Sequence, residues 1–101
     1  MFKIKPIHPG EILHEDFLME MNITPYKLAK DIDVPLNRIT AIIQEKRAIS
    51  PETALLLSKY FGTSQNYWIN LQAHYDTECA KDKLNLKLSQ IKPVFVENYA
   101  G

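Results

Sequence analysis

Residues Leu28 to Gln44 read LAKDIDVPLNRITAIIQ, and Glu45-Lys46-Arg47 follow at once. Two short amphipathic segments meet there at a three-residue corner, Ile32-Asp33-Val34. In the first, Leu28, Ala29 and Ile32 repeat at helical spacing and form an inner face. In the second, Val34, Ile39 and Ile42 are natural anchors into a core, which leaves Leu36, Asn37, Arg38, Thr40, Ala41 and Gln44 for other faces. Asn37, Ala41 and Gln44 fall together at spacings of four and three, with Arg38 beside them. A bracing helix, a tight corner and a helix with a polar strip make the pattern of a helix-turn-helix, whose second helix offers side chains to the DNA major groove. The same pattern has a plainer counterpart, because any small helical domain carries solvated polar faces.

The residue types on the strip suit base reading. Arg grips guanine O6 and N7, and Asn or Gln grips adenine N6 and N7. Ala41 permits close approach and contact with a thymine methyl. The candidates for base readout are therefore Asn37, Arg38, Thr40, Ala41 and Gln44. Phosphate contacts are expected on either side. Thr24, Tyr26 and Lys27 stand at a helix start, where free N–H groups attract anions, and Lys46 and Arg47 stand in the loop after the strip.

Outward from this core motif the chain reads as one all-α domain of five helices. The first is expected from about Pro9 to Met21, with Ile12, Leu13, Phe17 and Met21 inward and a stop at Asn22. Thr24-Pro25 and Ser50-Pro51 are cap-then-proline openings of the second and fourth helices. The fourth carries Ala54, Leu55, Leu57, Ser58 and Phe61 and stops at Gly62. The fifth is expected from Ser64, with Tyr67, Trp68, Leu71 and Tyr75 as a broad aromatic stripe. Beyond Ala80, a helical continuation broken before Pro93 is expected, and residues 94–101 read as a loose tail. The expected division is an arm at 1–8, a helix-turn-helix domain at 9–80 and a C-terminal extension at 81–101. The fifth helix exceeds what a small helix-turn-helix core needs. Tyr67, Tyr75, Leu84, Leu88 and Ile91 are therefore the expected dimer interface, where apolar and aromatic side chains concentrate.

Composition bounds the function. The 101 residues suffice for one core, and 46% hydrophobic with 24% charged residues is ordinary for a globular protein. No apolar run approaches the ~20 residues that cross a bilayer, and the start MFKIKPIHPGE has no signal-peptide core. A single cysteine, Cys79, forms no internal disulfide, which suits a cytoplasmic protein. The net charge is zero, whereas many DNA binders are basic. Its distribution is uneven: residues 1–23 sum to −2 and residues 24–50 to +2, so positive charge lies with the motif. No nucleophile signature or glycine-rich phosphate loop appears, so no enzyme and no cofactor are expected. His8, His14 and His74 are scattered, and Glu11, His14 and Glu15 on one turn read as a solvated face and not a metal site.

The strings HPGEILHEDFL, LAKDIDVPLNRITAII, KRAIS and TALLLSKYFGTSQNYWINLQAHYD occur in order and at family spacing. Through them residues 7 to about 93 resemble the HigA, or VapI-like, antitoxins within the Xre/Cro (lambda-repressor-like) helix-turn-helix class. The resemblance implies a dimeric antitoxin that binds operator DNA, represses its own operon and silences a cognate toxin, typically a RelE-like mRNA-cleaving ribonuclease. It implies that Arg38, Thr40, Lys46 and Arg47 lie in the DNA-facing motif. The alternatives are a solitary Xre-type regulator without a toxin and a toxin-binding module with weakened DNA binding. Two departures stand out. The class usually has Gly where this chain has Asp33, and Asn-Gly-Lys-Arg where it has Gln44-Glu45-Lys46-Arg47. Gly at such corners commonly serves a positive φ. Glu45 also sets a negative charge beside an expected phosphate contact, so weaker operator affinity is expected.

Overall fold

The computed structural model describes residues 5–94. Residues 1–4 of the arm expected at 1–8, and residues 95–101 of the expected tail, lie outside the described residues. Every regular element among the described residues is helical. α1 (Pro9–Ile12) runs straight into a π-helical stretch at Leu13–Met19. α2 (Pro25–Asp31), α3 (Leu36–Ile43), α4 (Pro51–Phe61) and α5 (Tyr67–Ser89) follow. α2 packs on α3, α4 on α5, and α1 on both α3 and α5.

Three helices start on the same device. The Thr24 side chain accepts from the Lys27 N–H at 3.0 Å, and Ser50 Oγ accepts from the Thr53 N–H at 3.3 Å. His8 does the same job for α1, its Nδ1 accepting from the Gly10 N–H at 2.9 Å. In each case proline follows the cap, where its missing N–H and fixed φ cost nothing. The ends are equally uniform. Asn22 (φ 57°), Asp33 (59°), Glu45 (64°) and Gly62 (74°) are all left-handed. The next residue donates back across each turn: Ile23 N–H to Leu18 O at 2.9 Å, Val34 to Ala29 at 3.0 Å, Lys46 to Ala41 at 2.9 Å and Thr63 to Ser58 at 3.1 Å. This is the Schellman closure, which satisfies carbonyls that the helix leaves open. The positive φ expected at Asp33 and Glu45 is present at both.

The core gathers Leu13, Leu18, Leu28, Ile39, Ile42, Leu57 and Trp68, all fully buried. Phe17, Phe61 and Tyr67 surround the Trp68 ring at centroid distances of 4.9, 6.1 and 5.2 Å.

Three expectations need correction. Met21 is 48% exposed, and Leu18 is buried in its place. The π-helical stretch is the cause: its i→i+5 hydrogen bonds widen the turn beyond 3.6 residues, which brings Leu13 and Leu18, five apart, toward one face. Leu55 is also 48% exposed, because Ala54, Leu57 and Ser58 take the inner face of α4. α5 opens at Tyr67 and not at Ser64, since the Tyr67 N–H first closes a turn onto Ser64 O at 3.2 Å. The helical continuation beyond Ala80 is present and belongs to α5, which runs unbroken to Ser89. From Ala80 to Val94 every residue is exposed, so the last turns of α5 stand clear of the body.

Candidate nucleic-acid interface

α3 is set by its two deepest side chains. Ile39 and Ile42 are completely buried, which turns the opposite side outward. Asn37 and Gln44 are exposed there, with Thr40 and Ala41 half-buried between them. The Thr40 hydroxyl donates to Asn37 O at 3.3 Å, which leaves its oxygen free to accept. Arg38 is half-buried, and its Nε is buried without a hydrogen-bond partner among the described residues. Each sequence-predicted reading residue thus lies on or beside the outward side of α3.

The flanking residues are less uniform. Tyr26 is 63% exposed at the start of α2. Thr24 spends its oxygen on the cap of α2. Lys27 is already paired: its Nζ lies 2.9 Å from Asp31 Oδ2, which also accepts from the Tyr60 hydroxyl at 2.6 Å. Those two bonds, the Tyr60 one first, hold the Asp31 carboxyl below the usual range. A positive charge at the start of α2 is therefore partly answered before any phosphate arrives. Lys46 and Arg47 are exposed in the loop after α3, with Glu45 beside them.

Four features of the site escaped sequence reasoning. Gln72 is buried, and its Oε1 accepts from the Ile49 N–H at 2.8 Å, holding the far end of the Lys46-Arg47 loop. Asp31 ties α2 to α4 through Tyr60. Gly10 lets α1 come against the main chain of α3, for a Cβ there would stand 1.8 Å from Ile42 O. His8 caps α1 and meets Tyr75 edge to face at 4.8 Å. Accepting the Gly10 N–H requires the lone pair on Nδ1, and burial lowers the His8 pKa in the same sense, with the Glu45 and Asp76 carboxylates opposing. The signal for His8 was available, since His8-Pro9 repeats the pattern of Thr24-Pro25 and Ser50-Pro51.

Tyr67 and Tyr75, expected at a dimer interface, are half-buried and engaged within the protomer, Tyr67 on Phe17 and Trp68, Tyr75 on His8. Leu84, Leu88 and Ile91 are 42%, 49% and 61% exposed. No helix among the described residues is long and apolar enough to cross a membrane. Nor do three or more His, Cys, Asp or Glu residues gather in a metal-holding group among them.

Comparison with known proteins agrees with this geometry. Residues 15–68 match the helix-turn-helix family. Virulence-associated protein I of Dichelobacter nodosus is 42% identical over 83 residues, 81% of this chain and 77% of that protein. The Pseudomonas aeruginosa antitoxin HigA, solved with the higBA promoter, superposes with a TM-score of 0.83 at 40% identity, covering 89% of this chain and 99% of that one. An addiction module antidote protein of the HigA family from Coxiella burnetii gives 0.81 at 42% identity, with the same two coverages of 89% and 99%. From its motif, its helix arrangement and these relatives, the chain belongs to the HigA family of helix-turn-helix antitoxins.

Proposed function

We propose that this protein is an antitoxin that binds operator DNA as a dimer, represses its own operon and neutralises a cognate RelE-like mRNA-cleaving toxin in the cytoplasm. The observation that carries the DNA half is α3, which turns a polar strip outward between exposed Tyr26 and the Lys46-Arg47 loop. A HigA of closely similar fold was solved with a promoter. In this reading Asn37, Arg38, Thr40, Ala41 and Gln44 meet base edges, and Thr24, Tyr26, Lys27, Lys46 and Arg47 meet phosphates. Leu84 and Leu88, four apart, share a face on the free end of α5, Ile91 lies exposed two residues beyond its end at Ser89, and pairing two such ends supplies the dimer. Tyr67 and Tyr75 contribute only their exposed edges. A dimer on a palindromic operator sets the two recognition helices ~34–36 Å apart.

The test is a binding titration with the DNA immediately upstream of the gene. Arg38→Ala is expected to lose about 1–3 kcal/mol of preference for that DNA over unrelated duplex. Lys46→Ala is expected to weaken all DNA alike and to lower the salt slope by about 1. No salt-sensitive binding by the wild type would end the repressor reading. Co-expression with the adjacent gene, scored by growth rescue and co-purification, tests the toxin half, and an innocuous neighbour would leave a solitary regulator.

The local charges favour a DNA grip weaker than the family pattern. Asp31 answers Lys27, and Glu45 stands beside Lys46. Glu45→Gly removes that carboxylate and relieves a left-handed residue, whose cost of about 1–2 kcal/mol outweighs the ~0.5–1 kcal/mol entropy penalty of glycine. The variant should melt a few degrees higher and bind the same duplex more tightly; unchanged or weaker binding would contradict the electrostatic part.

A further inference from the structure

The loop that carries Lys46 and Arg47 is exposed from Glu45 to Ala48, yet both of its ends are fixed. At the near end the Lys46 N–H closes onto Ala41 O at 2.9 Å. At the far end the Ile49 N–H donates to Gln72 Oε1 at 2.8 Å, across twenty-three residues of chain. Ile49 is 3% exposed and Gln72 is 7% exposed, so water competes little for this bond. The carboxamide is itself oriented, because its Nε2 donates to Asp76 Oδ1 at 3.0 Å. Asp76 thereby fixes which end of the amide faces Ile49. A carboxylate can only accept, so the amide nitrogen must turn toward Asp76 and the oxygen toward the loop.

We infer that Gln72 is a positioning residue for operator binding, which sets Lys46 and Arg47 for their phosphates through its buried bond to Ile49, with the exposed Asp76 carboxylate orienting its amide. This rests on the DNA-binding reading above. Gln72 meets no DNA itself. Its place on α5, one turn after Trp68, joins the loop beside the recognition helix to the helix whose free end is proposed to pair the subunits.

The donor order gives a specific test. Gln72→Met leaves the Ile49 N–H without an acceptor. Gln72→Glu keeps an acceptor but sets two carboxylates against each other. Gln72→Glu combined with Asp76→Asn reverses the pair, so that the amide at 76 donates to one oxygen of the carboxylate at 72, the repulsion is gone, and the other oxygen is again held toward the Ile49 N–H. The full-length chain would be titrated against a labelled duplex of the DNA immediately upstream of its gene, at several salt concentrations. Concentrations would be corrected for the active fraction by stoichiometric titration.

Gln72→Met and Gln72→Glu are each expected to bind about tenfold more weakly, the scale on which losing one buried hydrogen bond is felt. Their salt slopes should be flatter by about 0.9 for each phosphate contact given up. The double variant should return to within about threefold of wild type, with the wild-type slope. A merely structural role would lower the melting temperature and the active fraction and leave the slope of the folded protein unchanged. Wild-type binding with an unchanged slope in Gln72→Met, or a double variant no better than Gln72→Glu, overturns the inference alone. Absence of salt-sensitive binding in wild type overturns the DNA reading and this inference with it. Should Gln72→Glu fail to fold, Gln72→Met and the double variant decide.

Discussion

Replacing Trp68 by alanine is expected to cost about 3–5 kcal/mol of folding stability, the range for deleting a large buried aromatic side chain. Trp68 is completely buried and is the centre of the aromatic cluster: Phe17 from the π-helical stretch, Phe61 from the end of α4 and Tyr67 from α5 all lie against it. One side chain therefore holds three segments, and a cavity there cannot be closed by moving only one of them. Stabilities of small domains are about 5–15 kcal/mol, so the loss takes a large share of the total. Thermal and urea melts followed by circular dichroism would show a drop of more than ~12 °C. Trp68→Phe sharpens the reading. The Trp68 Nε1 is buried with no hydrogen-bond partner among the described residues, and an unmet buried donor costs about 1–3 kcal/mol. Phenylalanine gives up packing but removes that donor, so it should cost less than half of what alanine does. A Trp68→Ala protein within about 1 kcal/mol of wild type would show that the cluster is not the keystone of the core.

The elements that were legible in the sequence share a reason. Thr24-Pro25, Ser50-Pro51 and Gly62 are local devices, and local chemistry alone places them. The inner faces of α2 and α3 were legible because Leu28, Ala29, Ile32, Ile39 and Ile42 keep a clean helical period. Asp33 and Glu45 were legible as left-handed residues only through the resemblance, since neither residue type announces a positive φ. Where the period breaks, reading fails. The π-helical stretch shifts the register after Leu13, so Leu18 is buried and Met21 is turned out. The outward strip of α3 was legible for the same reason as the core: two buried isoleucines fix the rest of a short helix. What holds the site in place was not legible. The Ile49–Gln72 bond and the Tyr60–Asp31 bond span twenty-three and twenty-nine residues, and no pattern within a helix predicts a partner so distant.

Gly10→Ala is the clearest conflict between local and tertiary preference in the chain. Gly10 lies in the first turn of α1, and by helix propensity alone alanine would be favoured there by about 0.8–1.0 kcal/mol. Tertiary packing opposes it. A Cβ at this position would stand 1.8 Å from Ile42 O and 2.8 Å from Ile42 C. Both are main-chain atoms, so no side-chain rotation clears the space. Either α1 withdraws from α3 or the end of α3 is displaced. Overpacking typically costs about 1–3 kcal/mol, and a rigid wall puts this site at the upper end or beyond, well past the propensity gain. We expect a net loss of at least ~2 kcal/mol, seen as a melting temperature lower by about 8 °C or more. The displaced group belongs to α3, the helix proposed to read base edges, and Glu45, Lys46 and Arg47 lie in the loop that follows it. Operator affinity, measured on the fraction still folded at low temperature, should therefore fall as well. A Gly10→Ala protein that melts at or above wild type would mean that α1 yields freely and that its close seat on Ile42 does not fix the position of α3.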